Sequence, residues 1–257
     1  MSTLLAAALS TLVFCAPGYP GGAGDAQPLL DQFASAAVTA SGWPAGSLAA
    51  VYDPTEDGGL AKLGQADAVL AFVPYPFFVE HAAQLHLTAL VQADVADIGP
   101  QQRWTLVAKS GRVTGPASMA GYTLLSVAGY APNFVRHSAL QGWALPSDVK
   151  IEATGQVLSA LRRVAAGESV AVLLDQTQMA ALPSLPFATE IKAVTQSAQL
   201  PVAIIAVVDS RLAAARARAL QEGLLKMGHA SGSADTLGPL RLHGFVLPKL
   251  PSQPAAP

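Results

Sequence analysis

The chain has 257 residues, of which 51% are apolar, 6% aromatic and 12% charged, with a net charge of −2. An aliphatic bulk of this size can bury a full core, which excludes disorder over most of the length, and the lack of a basic excess argues against nucleic acid as a partner. A single cysteine excludes an intrachain disulfide framework, a CxxC redox motif and a Cys-rich zinc site.

Leu4 to Leu9 is a run of small apolar residues, Ala6 to Ala8 fits an A-x-A cleavage pattern, and the first basic residue is Lys62. The run is too short to span a bilayer, which takes about 20 residues. It reads as the end of an export signal over residues 1–10 in preference to a first turn leading into a strand, so the expected location is periplasmic. Thr11 to Ala16 then reads as a strand, with Cys15 buried in it; Phe14 is too large to precede a lipidated cysteine. Pro17-Gly18-Tyr19-Pro20-Gly21-Gly22 ends the strand, and a helix capped near Asp25 runs to about Thr39. Ser47 to Tyr52 is a second strand, closed by Asp53-Pro54, and a helix follows to about Lys62. Asp67 to Val73 is a third strand, broken by Pro74-Tyr75-Pro76; Phe77 to Leu85 reads as helix and Leu87 to Gln92 as a fourth strand. Strands alternating with helices predict a parallel sheet, and near-continuous apolar strands fit one covered on both faces.

The pattern then restarts. Trp104 to Ser110, Tyr122 to Val127, Val149 to Glu152 and Ser169 to Leu174 read as strands. Helices are predicted over Gly115 to Met119, Pro132 to Gln141 and Gly155 to Ala165. Ile191 to Thr195 and Val202 to Val208 are strands around Pro201, Ser210 starts a helix to about Met227, and the proline-rich tail from Pro248 to Pro257 is expected to be disordered. Crossing segments are expected near residues 100–105 and 190–202.

The sequence holds no P-loop, no G-x-S-x-G, no H-E-x-x-H and no EF-hand loop. His81 and His86 are not at the spacing of a helical zinc pair. Gly21-Gly22-Ala23-Gly24 lacks the full phosphate-cradle spacing and reads as a flexible loop. The informative residues sit at strand ends, where open parallel sheets bind ligands. Gly18 and Tyr19 follow the first strand, Asp53 the second, and Pro74, Tyr75 and Phe78 the third. Gly129, Tyr130 and Asn133 follow a strand of the second half, and Asp175 and Gln176 another. Together they suggest the walls of a cleft: tyrosines give contact area with a polar handle, Asp53, Asn133, Asp175 and Gln176 give hydrogen-bonding groups, and Gly18 and Gly129 allow close backbone approach.

Several segments carry a resemblance. Leu63-Gly64-Gln65-Ala66-Asp67-Ala68-Val69-Leu70-Ala71-Phe72-Val73-Pro74 resembles the glycine, aspartate and hydrophobic run of type II periplasmic binding proteins. Leu161 to Asp175 resembles its second-lobe counterpart, although Ser169 follows Gly167 by only two residues. Trp104 to Gly111 resembles the strand entering the second lobe, and Ser118 to Val127 looks like the stretch after it, with Tyr122 where a lysine is usual. Gln196-Ser197 with Pro201, and Leu224 to Val246, are similar to the return segment and C-terminal region of the phosphate/phosphonate-type branch of transporter substrate-binding proteins. The resemblance implies an α/β fold of two Rossmann-like lobes joined by two crossing segments. One lobe would comprise residues 11–103 plus 203–247 and the other residues 104–202. The implied role is capture of a small-molecule ligand for a membrane transporter permease, by a monomer, with no cofactor, no metal and no reaction. A sensor adaptor serving a membrane partner, or an enzyme on the same fold using Cys15, are the alternatives.

One departure bears on the ligand. Phosphonate binders carry a Ser/Thr-rich loop where this chain has Ala128-Gly129-Tyr130-Ala131-Pro132-Asn133, and the candidate cleft residues include no Arg or Lys. A neutral, cationic or largely apolar ligand, lipid- or sterol-like at the apolar end, is therefore expected. A phosphonate should give no saturable heat in titration calorimetry; a well-defined isotherm would overturn this reading of the loop.

Overall fold

The computed structural model describes residues 9–18, 23–230 and 232–251. Residues 1–8 of the expected signal remnant, Tyr19 to Gly22 and the last six residues of the tail lie outside the described residues. In chain order the elements are β1 (Ser10–Cys15), α1 (Ala23–Ser41), β2 (Leu48–Asp53), α2 (Glu56–Leu63), β3 (Ala68–Pro74), α3 (Tyr75–His81), β4 (Thr88–Val95), β5 (Gln101–Gln102), β6 (Thr105–Lys109), β7 (Thr123–Ser126), α4 (Pro132–Phe134), β8 (Lys150–Ala153), α5 (Val157–Ala166), β9 (Val170–Leu174), α6 (Gln176–Ala181), β10 (Ile191–Gln196), β11 (Leu200–Pro201), β12 (Ala203–Val207), α7 (Ala214–Met227), α8 (Ser233–Leu237) and β13 (Leu242–Val246).

The strands form a six-stranded sheet, β13-β4-β12-β3-β1-β2, and a five-stranded sheet, β10-β6-β9-β7-β8. Strands β1 and β9 are buried along their whole length, as strands covered by helices on both faces must be. The sheets are mixed and not wholly parallel. Strand β1 runs parallel to β2 and β3, and β7 runs parallel to β8 and β9. Strand β12, however, is antiparallel to β3 and β4, and β6 is antiparallel to β9. Both reversed strands enter a sheet directly from a crossing segment, with no crossover helix to turn the chain round. The crossings lie side by side, because β5 pairs antiparallel with β11. Beside them Trp104 N–H donates to Ser197 Oγ at 2.9 Å, Ser197 N–H donates to the Trp104 carbonyl at 2.8 Å, and Arg103 Nη1 donates to the Ser197 carbonyl at 2.8 Å.

Several helices differ from their expected bounds. Helix α7 begins at Ala214 and not at Ser210, because Asp209 and Ser210 have φ of 46° and 54°, outside the helical region. Helix α3 starts at Tyr75 and ends at His81, short of Leu85. The Pro132–Gln141 segment is a single α turn continued by a wider π turn over Val135–Ala139. Helix α6 was not anticipated; Asp175 and Gln178 form its capping box. The tail is anchored at its start, where Lys249 N–H donates to Oε1 of buried Gln92 at 2.9 Å.

Helices α1 and α7 pack together over small residues on the outer face of the first sheet. A Cβ at Gly223 of α7 would sit 2.7 Å from the carbonyl carbon and oxygen of Ala40. Gly223→Val should destabilise the protein by about 1–3 kcal/mol through overpacking, more than the roughly half a kcal/mol that valine gains over glycine in helix propensity. The check is the urea midpoint, and no change in it would mean that the helices part freely.

Candidate functional site

The C-terminal ends of the parallel strands of the two sheets face one another. On the first lobe, β3 ends at Pro74, which stands at the N-cap of α3, and Tyr75 N–H donates to the Val202 carbonyl at 3.0 Å. This fixes Tyr75 at the meeting surface, stacked on Phe78 with ring centroids 6.2 Å apart. Burial pushes the Tyr75 phenol up to about 12, so it stays neutral. On the second lobe, β7 ends at fully buried Ser126, whose hydroxyl donates to the Leu173 carbonyl at 2.8 Å and accepts from Ala128 N–H at 3.1 Å. That hydroxyl holds the turn leading through Gly129 and Tyr130 to α4.

The two ends are in direct contact. Tyr75 meets Phe134 edge to face at 6.0 Å, and Phe134 meets Trp104 at 5.3 Å. Gly18 has φ +82°, and a Cβ there would lie 2.6 Å from the carbonyl oxygen of Val127 in the other lobe. Glu80 of α3 accepts from Asn133 N–H at 2.9 Å and from Asn133 Nδ2 at 2.8 Å, so a carboxylate of one lobe caps the first turn of α4 in the other. Val13, Tyr75, Phe77 and Phe78 of the first lobe share one apolar core with Trp104, Val127, Ala128 and Phe134. Where open cleft walls were expected, Pro74, Tyr75, Phe78, Gly18 and Asn133 belong to a closed seam. Among the described residues the buried Trp104 indole N–H has no acceptor.

The other expected site residues are engaged locally. The Asp53 carboxylate accepts from Thr55 N–H at 2.9 Å and Thr55 Oγ1 at 2.7 Å and is paired with Lys62. It nests where Gly58 lacks a side chain. Burial raises its pKa, but the hydrogen bonds from Lys62 and Thr55 outweigh burial and leave it lowered. Asp175 caps α6, accepting from Gln178 N–H at 2.8 Å, and burial raises its pKa against that bond. Gln176 opens the same helix, half-buried. The close approach that Gly129 permits is to the Glu152–Ala153 backbone of β8. Tyr130 is half-buried against the shared core. Tyr19 lies outside the described residues. Glu80 and Phe134, which make the seam with Trp104, carry no motif; the sequence signals were the position of Phe134 directly after Asn133 and that of Trp104 at the start of the strand entering the second lobe.

Among the described residues, no group of three or more His, Cys, Asp or Glu is placed to hold a metal ion, and no helix is long and apolar enough to cross a membrane. Cys15 is buried, donates to the Thr55 carbonyl at 3.4 Å, and has its thiol pushed up to about 12 by burial and by the nearby Asp53 and Glu56.

No family model and no curated protein matches the chain. Solved structures do. XAC2383 of Xanthomonas citri bound to ATP matches with a TM-score of 0.67 at 14% identity, over 95% of this chain and 92% of that one. The binding protein component of an ABC phosphonate transporter of Pseudomonas aeruginosa matches with a TM-score of 0.58 at 14% identity, over 92% and 81%. PhnD1 of Prochlorococcus marinus in complex with methylphosphonate matches with a TM-score of 0.55 at 12% identity, over 93% of each chain. The fold is that of the type II periplasmic binding proteins.

The lowered pKa of Asp53 has a defined pH signature. A carboxylate depressed in the folded state contributes stability above its unfolded pKa, and loses it as pH falls through the folded value. Asp53→Asn should lower the urea midpoint at neutral pH, and its gap to the unsubstituted protein should close in acid. A gap independent of pH would mean that the charge contributes nothing.

Proposed function

We propose that the protein is an extracytoplasmic solute-binding protein. It parts along the two crossing segments, admits a small ligand between the strand ends, recloses, and presents the closed form to a membrane transporter permease. The observation that carries this reading is the seam itself: the lobes meet through side-chain contacts at the ends of their parallel strands, while the chain links them through the short β5–β11 pair. Such a junction can hinge without breaking either sheet.

The ligand proposed is neutral and largely apolar, and not a phosphonate. Tyr75, Phe78 and Phe134 offer aromatic faces at the seam, and the Asn133 backbone N–H already holds a carboxylate from Glu80. The Trp104 N–H, without an acceptor among the described residues, is a donor for a ligand acceptor entering beside Phe134. Leaving such a group unpaired costs about 1–3 kcal/mol, so a ligand that supplies the acceptor is favoured over one that does not. Binding is preferred to catalysis because the thiol that an enzyme on this fold would use is buried, protonated and hydrogen-bonded.

Glu80→Lys puts a cation against the first turn of α4 and should open the seam, read as a larger radius of gyration in small-angle X-ray scattering. An unchanged radius would reject Glu80 as part of the closure. Native mass spectrometry of the purified protein, with organic extraction, should release a discrete apolar molecule; saturable binding of methylphosphonate would overturn the ligand assignment.

A further inference from the structure

A second feature lies within the first lobe, bordering the seam at Pro74. A cavity of about 180 Å³ opens at the C-terminal ends of its strands, lined by Phe14, Ala16, Tyr52, Phe72, Ala203 and Leu242, with Cys15, Val73, Pro74 and Leu240 completing the wall. Phe14, Tyr52 and Phe72 lie in register across β1, β2 and β3, so their side chains share one face of the sheet. That face packs under α1 and α7, where Phe14 and Phe72 join Phe33 and Phe245 in a cluster with ring centroids 4.9–6.2 Å apart. Helices should cover both faces of such a sheet. Phe72 is nevertheless the one residue of β3 that is not fully buried, so this end of the face is left partly open.

The wall defines what fits. Among the described residues it contains no Lys, Arg, His, Asp or Glu. Its two titratable groups are Cys15, whose thiol is engaged by the Thr55 carbonyl, and the Tyr52 phenol. An enclosed apolar cavity of roughly 150 Å³ lined by Leu, Ile and Phe binds benzene, and this cavity offers a similar apolar lining with one side open. We propose that this cavity is a binding site for an uncharged apolar group of about the size of a benzene ring, with the Tyr52 phenol as its single polar contact. Every lining residue belongs to the first lobe, so the site is distinct from the ligand position between the lobes proposed above.

The test uses benzene as the probe on the intact chain. Benzene should give a saturable rise in Tm and amide shifts in 15N-resolved spectra clustered at Ala16, Tyr52, Val73 and Ala203. Ala203→Leu, which fills the cavity, should abolish the Tm rise. No rise in the unsubstituted protein, shifts centred elsewhere, or an equal rise in the filled variant would each overturn the proposal. If Ala203→Leu fails to fold, the shift map of the unsubstituted protein decides the matter alone.

Discussion

The edge-to-face meeting of Tyr75 with Phe134 makes one apolar core out of two lobes. Each ring also packs on an aromatic neighbour of its own lobe, Tyr75 on Phe78 and Phe134 on Trp104, so the contact joins two aromatic pairs. Full burial of such a ring is worth about 1.5–3 kcal/mol, whereas the exposed hydrogen bonds between Glu80 and Asn133 add less and serve mainly to set the register of α3 against α4. The backbone contact of Gly18 with Val127 then fixes how near the lobes come, since any side chain at Gly18 would strike the carbonyl. Area drives closure and the glycine sets its limit.

Below the seam, the polar groups of the first lobe satisfy one another. Asp53, Thr55 and Lys62 form a closed set around the start of α2. Gly58 and Gly59 make room for the Asp53 carboxylate and the Cys15 sulfur respectively. His81 Nε2 lies 2.8 Å from Glu56 Oε1, which ties α3 to α2. Groups that look free when read along the chain are thus committed to holding the strand ends rigid, and the surface they support is aromatic.

Much of this was legible in the sequence. Apolar runs ended by proline, glycine or aspartate marked β1, β3 and β9, because a strand buried on both faces must be apolar throughout and stop at a residue that cannot extend it. The two-lobed order followed from the restart of the pattern at Trp104. Strand direction was not legible, because β6 and β12 owe their reversal to the crossings and not to their own residues. The break before α7 was hidden as well: nothing in the types of Asp209 and Ser210 demands a positive φ. The seam was the least legible part, since Glu80 and Asn133 are 53 positions apart and no periodicity links them. Asp53 was correctly placed at a strand end, but Lys62, nine residues on and one helix away, decides its charge environment.

The lone cysteine has a use that its inertness creates. Its sulfur fills the notch over Gly59, it is fully buried, and its thiol stays protonated across the physiological range. It also lines the first-lobe cavity and belongs to the apolar core shared across the seam, so an alkylating reagent reaches the sulfur only when that packing loosens. The rate of thiol modification is therefore a clock for opening of the packing around Cys15, read without adding a label.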